Sequence, residues 1–311
     1  MNGNVLYMDW EVALIEWLQE TLGPNGMAVA RFFSFLGGEI VSTLVVIAVL
    51  FCSSKEIGRR CSLPLMAAMA WFSMAKNVAL RLRPYMVHEN VEIYQLTEPD
   101  AEAMDVAQQG YSFPSGHSAN SVSLYGTLAR EFRKKALKAL AFAMPLLVGI
   151  SRVAVGAHYP TDILAGWVIG LLALGFGILM EKTVKKEWVR HLILLATALP
   201  GLFFCTSRDY FSTLGLIIAV SAALPFEQKF VHFEETKNLL NRILRVVLAA
   251  TLYFALDKAL KLPFSKEYLD SGELGANLIR TARYAVVLFI VFGIYPMCFR
   301  FFPGARKRVK E

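Results

Sequence analysis

The sequence predicts an all-α fold, a polytopic membrane helical bundle, on three observations. Hydrophobic residues make up 56% of the 311 and charged residues only 18%, where a soluble domain carries roughly 25% charged. Mean hydropathy is +0.46. The apolar residues fall in blocks of about 20, the length a helix needs to cross ~30 Å of hydrocarbon at ~1.5 Å per residue. Together these exclude a soluble enzyme, a secreted disulfide scaffold and a disordered chain.

Taken in order, the opening MNGNVLYMDW has no positive charge before its apolar stretch and no small-residue cleavage site, so no cleavable signal peptide is expected. Trp10, Leu14, Trp17, Leu18 and Leu22 recur at helical spacing beside Asp9, Glu16 and Glu20. That pattern predicts an interfacial amphipathic helix over 1–26, its tryptophans at headgroup level. Apolar windows then predict about nine spans, at 27–52, 62–82, 117–134, 136–156, 160–181, 188–206, 210–228, 239–262 and 278–301. Residues 118–132 are short and polar for a lipid-facing helix and are expected to be shielded by neighbours. The chain divides into 1–26, a motif-bearing membrane core over 27–186, and an additional four-helix membrane region over 187–311 that carries no motif.

Orientation follows from the basic residues. With the N-terminus outside, inward segments collect Lys55, Arg59 and Arg60, then Arg130 to Lys138, Lys182 to Arg190, Lys229 to Arg245, and a tail with Arg300, Arg306, Lys307, Arg308 and Lys310. The 84–116 loop carries Glu89, Glu92, Glu98, Asp100, Glu102 and Asp105 without Lys or Arg, and lies outside. The net charge of +7 does not point to nucleic acid, because no basic run is interleaved with aromatics. Cys52, Cys61, Cys205 and Cys298 lack metal-ligand spacing and read as thiols in apolar surroundings.

Three segments interrupt the apolar pattern with groups that are expensive near a bilayer. In Lys76-Asn-Val-Ala-Leu-Arg-Leu-Arg83-Pro84, seven residues make two helical turns, so Lys76 and Arg83 are expected on one face, with Pro84 ending the helix. Arg81, two residues before Arg83, is expected to point elsewhere and snorkel. In Ser112-Phe-Pro-Ser115-Gly116-His117-Ser118, Ser115 is an N-cap candidate and Gly116 allows close backbone approach, so the first N–H groups of the helix can face an anion. In Ser151-Arg152 through His158-Tyr-Pro160-Thr-Asp162, Asp162 reaches back to one imidazole nitrogen and leaves the other as nucleophile or base.

Each segment alone also admits a plain reading: snorkelling cations, a capped turn, a surface His–Asp pair. The topology changes the balance, because all three emerge on the same outer face. Cations, a helix N-terminus and two histidines form a constellation suited to phosphate binding and phosphoryl transfer. Nothing resembles a Walker A loop, a carboxylate metal cage or a zinc set, so side chains are expected to neutralise the phosphate.

KNVALRLRP, PSGH and SRVAVGAHYPTD resemble, in order, the signature K-x6-R-P … P-S-G-H … S-R-x5-H-x3-D of the type 2 phosphatidic acid phosphatase (PAP2) family, which is also similar to vanadium haloperoxidases and glucose-6-phosphatases. The resemblance implies a PAP2-like catalytic core in 27–186. It implies that His158 is the nucleophile, oriented by Asp162, giving a transient phosphohistidine, and that His117 is the general acid. It further implies that Lys76, Arg83, Arg152, the Ser115 hydroxyl and the Gly116 N–H hold the phosphate oxygens, with no metal and no cofactor.

The expected protein is an integral membrane phosphatase acting on a lipid phosphate or pyrophosphate at the extracytoplasmic face of a bacterial inner or plasma membrane. Its expected partners are the lipid substrate and membrane lipids, not nucleic acid; the oligomeric state stays open. The alternatives are a phosphatase for a small soluble sugar phosphate and a non-catalytic phosphate-binding transporter or scaffold. A haloperoxidase is disfavoured by the spans. Arg280 and Arg283, near Lys258 and Lys261, read as a solvated or lipid-facing edge, with Asp257 and Lys261 at pairing distance on a helix.

Overall fold

The computed structural model describes residues 3–302, and these are helical, with a single isolated β-bridge between Asn4 and Arg81 among them. In chain order the helices are α1 (Asp9–Leu36), α2 (Glu39–Cys52), α3 (Lys55–Ala79), α4 (Pro84–Val87), α5 (Val106–Gln109), α6 (Gly116–Phe132), α7 (Lys135–Ala154) and α8 (Pro160–Thr183). Then come α9 (Glu187–Ala198), α10 (Arg208–Phe226), α11 (Leu239–Lys261), α12 (Lys266–Asp270) and α13 (Leu274–Phe289). Short 3-10 or π turns extend α9, α10 and α13. The basic tail residues Arg306, Lys307, Arg308 and Lys310 lie outside the described residues.

Among the described residues five helices are long and apolar enough to cross a membrane: α7, α8, α10, α11 and α13, the last with its extension to Phe301. The pair α1 and α2, bent by 55°, makes a sixth if counted as one span. The protein is thus an all-helical integral membrane protein, and the expected count of about nine spans is not confirmed. The reasons are local. The window 27–52 is broken at Gly37-Gly38. α3 and α6 carry the charged and polar residues of the motifs, and α9 has only 12 residues before a 3-10 turn at Leu199.

α6 packs between α3, α7 and α8. As expected for so polar a helix, its Ser118, Asn120, Ser121, Ser123 and Thr127 are buried. Gly166 and Gly170 on α8 make the close approach possible. A Cβ at Gly166 would sit 2.4 Å from the Ser115 carbonyl oxygen, and one at Gly170 2.7 Å from that of Ala119. Small residues one turn apart let helix backbones meet where lipid supplies no hydrophobic drive. The C-terminal helices form a second group, α10 on α13, joined to the first through α3, α2 and α11.

α1 extends beyond the expected interfacial stretch. It runs to Leu36 with a break at Gly23 (φ 55°). Trp10 and Trp17 are exposed, while Glu11 and Ile15 are buried. Ile15 packs with Val91, Val153, Tyr159 and Ile163, beneath the loop that follows α7.

Candidate active site

One end of the bundle gathers the C-termini of α3 and α7 and the N-termini of α2, α6, α8 and α10. Ser115 is the N-cap of α6: its Oγ accepts from the Ser118 N–H at 3.4 Å and the Ser118 hydroxyl at 3.0 Å. Its own N–H donates to the Asp162 carbonyl at 2.9 Å, tying the start of α6 to the start of α8. Phe72 occupies the space where a side chain at Gly116 would go, since a Cβ there would lie 2.7 Å from the ring. That first turn therefore presents N–H groups lacking intrahelical partners. His117 follows, half-buried, with Gly37 and Gly38 alongside it.

The turn from α7 to α8 carries His158. Gly156 in this turn has φ +76°, and a Cβ there would lie 2.2 Å from the Glu92 carbonyl oxygen, so only glycine fits. Tyr94 N–H donates to the Val155 carbonyl at 3.1 Å, and Gln19 from α1 donates to the carbonyls of Glu92 and Ala154 at 2.8 and 3.0 Å. His158 is buried, with Nδ1 3.4 Å from Asp162 Oδ2. Burial, and then the positive charges of Arg83, Arg152 and Lys76, hold its pKa well below the usual imidazole value, so the ring is neutral at pH 7. The same three cations and His158 also bear electrostatically on His117. The structure thus brings Lys76, Arg83, His117, Arg152, His158 and Asp162 into one neighbourhood.

The cations differ in how far they are already engaged. Arg83, 2% exposed, donates to the carbonyls of Gly110 (2.9 Å), Ala157 (3.1 Å) and Gln109 (2.7 Å), which binds the 84–116 loop to the His158 turn. A guanidinium has five N–H donors, so two remain. Arg152 donates to Ser34 Oγ at 2.7 Å, while its Nε is buried without a partner. An orphaned guanidinium donor inside a cationic pocket suits an anion. Lys76 lies 3.4 Å from Asp209 of α10, a loose pairing that a phosphate oxygen can displace.

Two sequence expectations are corrected here. α3 does not run through to Pro84. It stops at Ala79, Leu80 adopts a left-handed conformation (φ 51°), and Pro84 opens α4 instead. Residues 80–82 pair with Asn4, through hydrogen bonds of 2.7 and 3.0 Å. In an extended segment, positions two apart share a side. Arg81 consequently points inward with Arg83, not out to headgroups. It donates to Asp162 Oδ1 (2.6 Å), Glu11 Oε2 (2.7 Å), Thr161 Oγ1 (2.7 Å) and the Leu6 carbonyl (2.6 Å), and stacks on Tyr159 at 3.9 Å. The second correction is Arg283, which is buried and pairs with Asp257 at 2.5 Å. Asp257 also pairs with Lys261 at 2.7 Å, as its spacing suggests.

Asp162 is held from every side. Besides Arg81 and His158 it accepts from the Tyr159 N–H at 2.8 Å and from the Ser112 hydroxyl. Ser112, Arg81, Glu11 and Asp209 therefore join the site, although sequence reasoning assigned none of them a part. An acidic residue on the apolar side of an amphipathic stretch was the available signal for Glu11.

Comparison with known proteins adds an independent line. The PAP2 superfamily profile matches residues 61–186, and the profile described as PAP2 superfamily phosphatase, transmembrane extension, matches 211–307. An undecaprenyl-diphosphatase of Sulfolobus acidocaldarius is 30% identical over 169 residues, 52% of this chain and 74% of that protein. Phosphatidylglycerophosphatase B of Bacillus subtilis is 40% identical over 90 residues, which are 26% of this chain and only 44% of that protein. Human glucose-6-phosphatase 3 is 26% identical over 219 residues, 63% of this chain and 60% of that protein. No solved structure matches the chain significantly.

Proposed function

This chain belongs to the PAP2 superfamily of phosphatases, and from that premise we propose that it hydrolyses a lipid phosphate or lipid pyrophosphate at the extracytoplasmic membrane face through a phosphohistidine. The observation that carries this reading is the neutral, buried His158, backed by Asp162 and surrounded by Lys76, Arg83 and Arg152. Phosphoryl transfer is mainly positioning plus charge stabilisation, and the site supplies both.

In the proposed cycle Asp162 fixes the Nδ1–H tautomer, and the Nε2 lone pair of His158 attacks phosphorus. The bond from phosphorus to the leaving oxygen breaks, and that oxygen takes a proton from His117. Neutral His117 then accepts a proton from water, whose oxygen attacks the phosphohistidine, releasing phosphate and regenerating His158. Lys76, Arg83, Arg152, the Ser115 hydroxyl and the Gly116 N–H hold the equatorial oxygens, and no metal or cofactor is required. The division into an interfacial 1–26, a catalytic 27–186 and an additional 187–311 belongs to the same reading. It is supported by the break at Gly23, the start of α9 at Glu187, and two family matches that do not overlap.

A lipid substrate is favoured by the membrane body and by the names of the microbial relatives. The soluble-phosphate alternative draws on the likeness to glucose-6-phosphatase 3. A phosphate-release panel of isoprenoid pyrophosphates, phosphatidate, phosphatidylglycerol phosphate and sugar phosphates separates the two. His158→Ala is expected to abolish release while retaining vanadate binding; undiminished function of that variant would favour a transporter or scaffold. Cysteine in place of the exposed Asp100 is expected to react with a membrane-impermeant reagent in intact cells, and protection there would reverse the orientation.

A further inference from the structure

An apolar cleft lies between the catalytic core and the C-terminal helices. Its walls are Ile40 and Thr43 of α2, Met69 of α3, Leu216 of α10, Tyr253 of α11 and Leu288 of α13. We propose that this cleft receives the hydrocarbon chain of the substrate lipid whose phosphate sits among Lys76, Arg83 and Arg152; the inference rests on the phosphatase reading above and specifies where the rest of its substrate lies.

Three observations carry it. The first is continuity with the phosphate site. Met69 and Lys76 are seven residues apart on α3, hence on one face, with Met69 about 10 Å further along the helix axis. Glu39 lines the cleft at the first turn of α2, and its charge bears on Lys76 and on Asp209, the partner of Lys76. Ser212, also in the wall, follows Asp209 by three residues on α10. The polar residues of the lining therefore sit toward the phosphate end, and the apolar ones lead away from it.

The second observation is direction. On α2 the lining runs from Glu39 at its first turn through Ile40, Thr43 and Leu44 to Ile47 past its midpoint, and Tyr253 and Phe254 lie in the last half of the opposed α11. The cleft thus descends from the site end toward the middle of the bundle, as a chain does below a headgroup held at the interface. The third is access. Ile40 and Phe254 in the lining are more than half exposed, at 59% and 54%, so the cleft has a lateral opening to the hydrocarbon. A chain can slide in sideways without its head leaving the interface. The apolar stretch of the groove, beyond Glu39 and Ser212, suits a saturated or isoprenoid chain, and the occupant is selected by being covalently attached to a phosphate held about two helical turns away. On this account the C-terminal region supplies half of the substrate site.

The test compares two substrates on the full-length protein in mixed micelles: a long-chain lipid phosphate, and p-nitrophenyl phosphate, which has no chain. Ala250→Trp on α11 and Thr43→Trp on α2 fill the cleft from opposite walls without touching the phosphate-binding residues. Each is expected to lower kcat/KM for the lipid about tenfold or more, because a few displaced methylenes suffice for that, while p-nitrophenyl phosphate turnover stays within about twofold. Unchanged lipid turnover in both variants overturns the proposal and leaves the phosphatase reading standing. Equal loss on both substrates also overturns it. A second measurement needs neither variants nor turnover: wild-type protein is irradiated with a lipid phosphate bearing a diazirine in its chain. Labelling of Tyr253 or Phe254, reduced by excess unlabelled lipid phosphate but not by phosphatidylcholine, supports the assignment. Labelling elsewhere, or equal competition by phosphatidylcholine, shows a bulk lipid only and refutes it. If wild-type protein hydrolyses neither substrate, the phosphatase reading fails on its own account.

Discussion

Arg81→Met is the perturbation that most directly probes how this site is held. Arg81 is buried between two fully buried carboxylates, Glu11 and Asp162, and its guanidinium serves both. Removing one partner of a buried ion pair costs about 3–5 kcal/mol, because the remaining charge is left uncompensated. Here two carboxylates are stranded. The mutant's thermal midpoint in detergent, read at a fixed scan rate, is expected to fall by on the order of 10 °C. Arg81 touches no phosphate in the proposed cycle; it is a positioning residue acting through Asp162. Loosening the carboxylate partner of a metal-bound histidine costs about 10–100-fold, or about 1.4–2.8 kcal/mol, and a loss of that order is expected here. The loss is expected in kcat, with KM nearly unchanged.

Arg81→Lys is not a conservative escape, since one ammonium cannot reach four acceptors in different directions while stacking on Tyr159. The double variant Arg81→Met/Glu11→Gln removes one of the two stranded charges, and is expected to be more stable than Arg81→Met alone. A single variant that keeps the wild-type midpoint and kcat, or a double variant in which the two losses simply add, would refute the reasoning.

The other expectations are briefer. With the pKa of His158 held low by burial and by Arg83, Arg152 and Lys76, the acid limb of kcat/KM is expected below the ordinary imidazole value of about 6.5; a limb above 7 counts against a neutral nucleophile. The sign for stability follows. The unfolded chain binds the proton first, so the contribution of His158 is complete above about pH 6.5 and is lost as pH falls toward the folded-state pKa. Gly166→Ala drives a Cβ against the Ser115 carbonyl and should cost about 1–3 kcal/mol and most activity. Gly175→Ala on the same helix meets nothing within 4 Å and is expected to be silent or slightly stabilising in a melting assay. Orthovanadate, a transition-state mimic, should inhibit at or below millimolar levels, and EDTA should not; a collapse of phosphate release on chelation would contradict charge neutralisation by side chains alone.

Much of the site is legible in the sequence because its chemistry is carried by local signals. Ser115 caps α6 as its position before Gly116 suggests, Pro160 opens α8, and Asp162 in the first turn of α8 reaches back to His158. What was not readable depended on backbone conformation without a residue signature. Leu80 takes a left-handed conformation although nothing in leucine favours it. That one residue ends α3 early and turns a helical spacing into an extended one, so Arg81 faces inward where helical spacing predicts the opposite. The expected count of about nine spans is not confirmed, for a related reason. Apolar length picks out five or six helices among the described residues, whereas α6 is polar and buried, shielded by α3, α7 and α8.

The C-terminal helices had no readable role in the sequence, and their attachment gives them one. Asn77, next to Lys76 on α3, accepts from the backbone N–H groups of Thr206 and Ser207 at 2.9 and 3.2 Å. Its amide donates to Ser207 Oγ and the Ser73 carbonyl, both at 2.8 Å. All four hydrogen-bonding positions of the side chain are used, so one residue fastens the loop before α10 to the end of α3. Asp209, two residues beyond that loop, then meets Lys76. Asn77→Leu leaves two backbone N–H groups without acceptors, at about 1–3 kcal/mol each where water is excluded. It also lets α10 drift from Lys76. A lowered melting temperature together with a raised KM for phosphate substrates is the expected pair of effects, with kcat reduced far less than by Arg81→Met, because His158 and Asp162 are fastened from the opposite side by α1 and the 81–83 segment. Should Asn77→Leu lower kcat as strongly as Arg81→Met while leaving KM alone, the two halves of the site would not be separately anchored, and the division of labour argued here would be wrong.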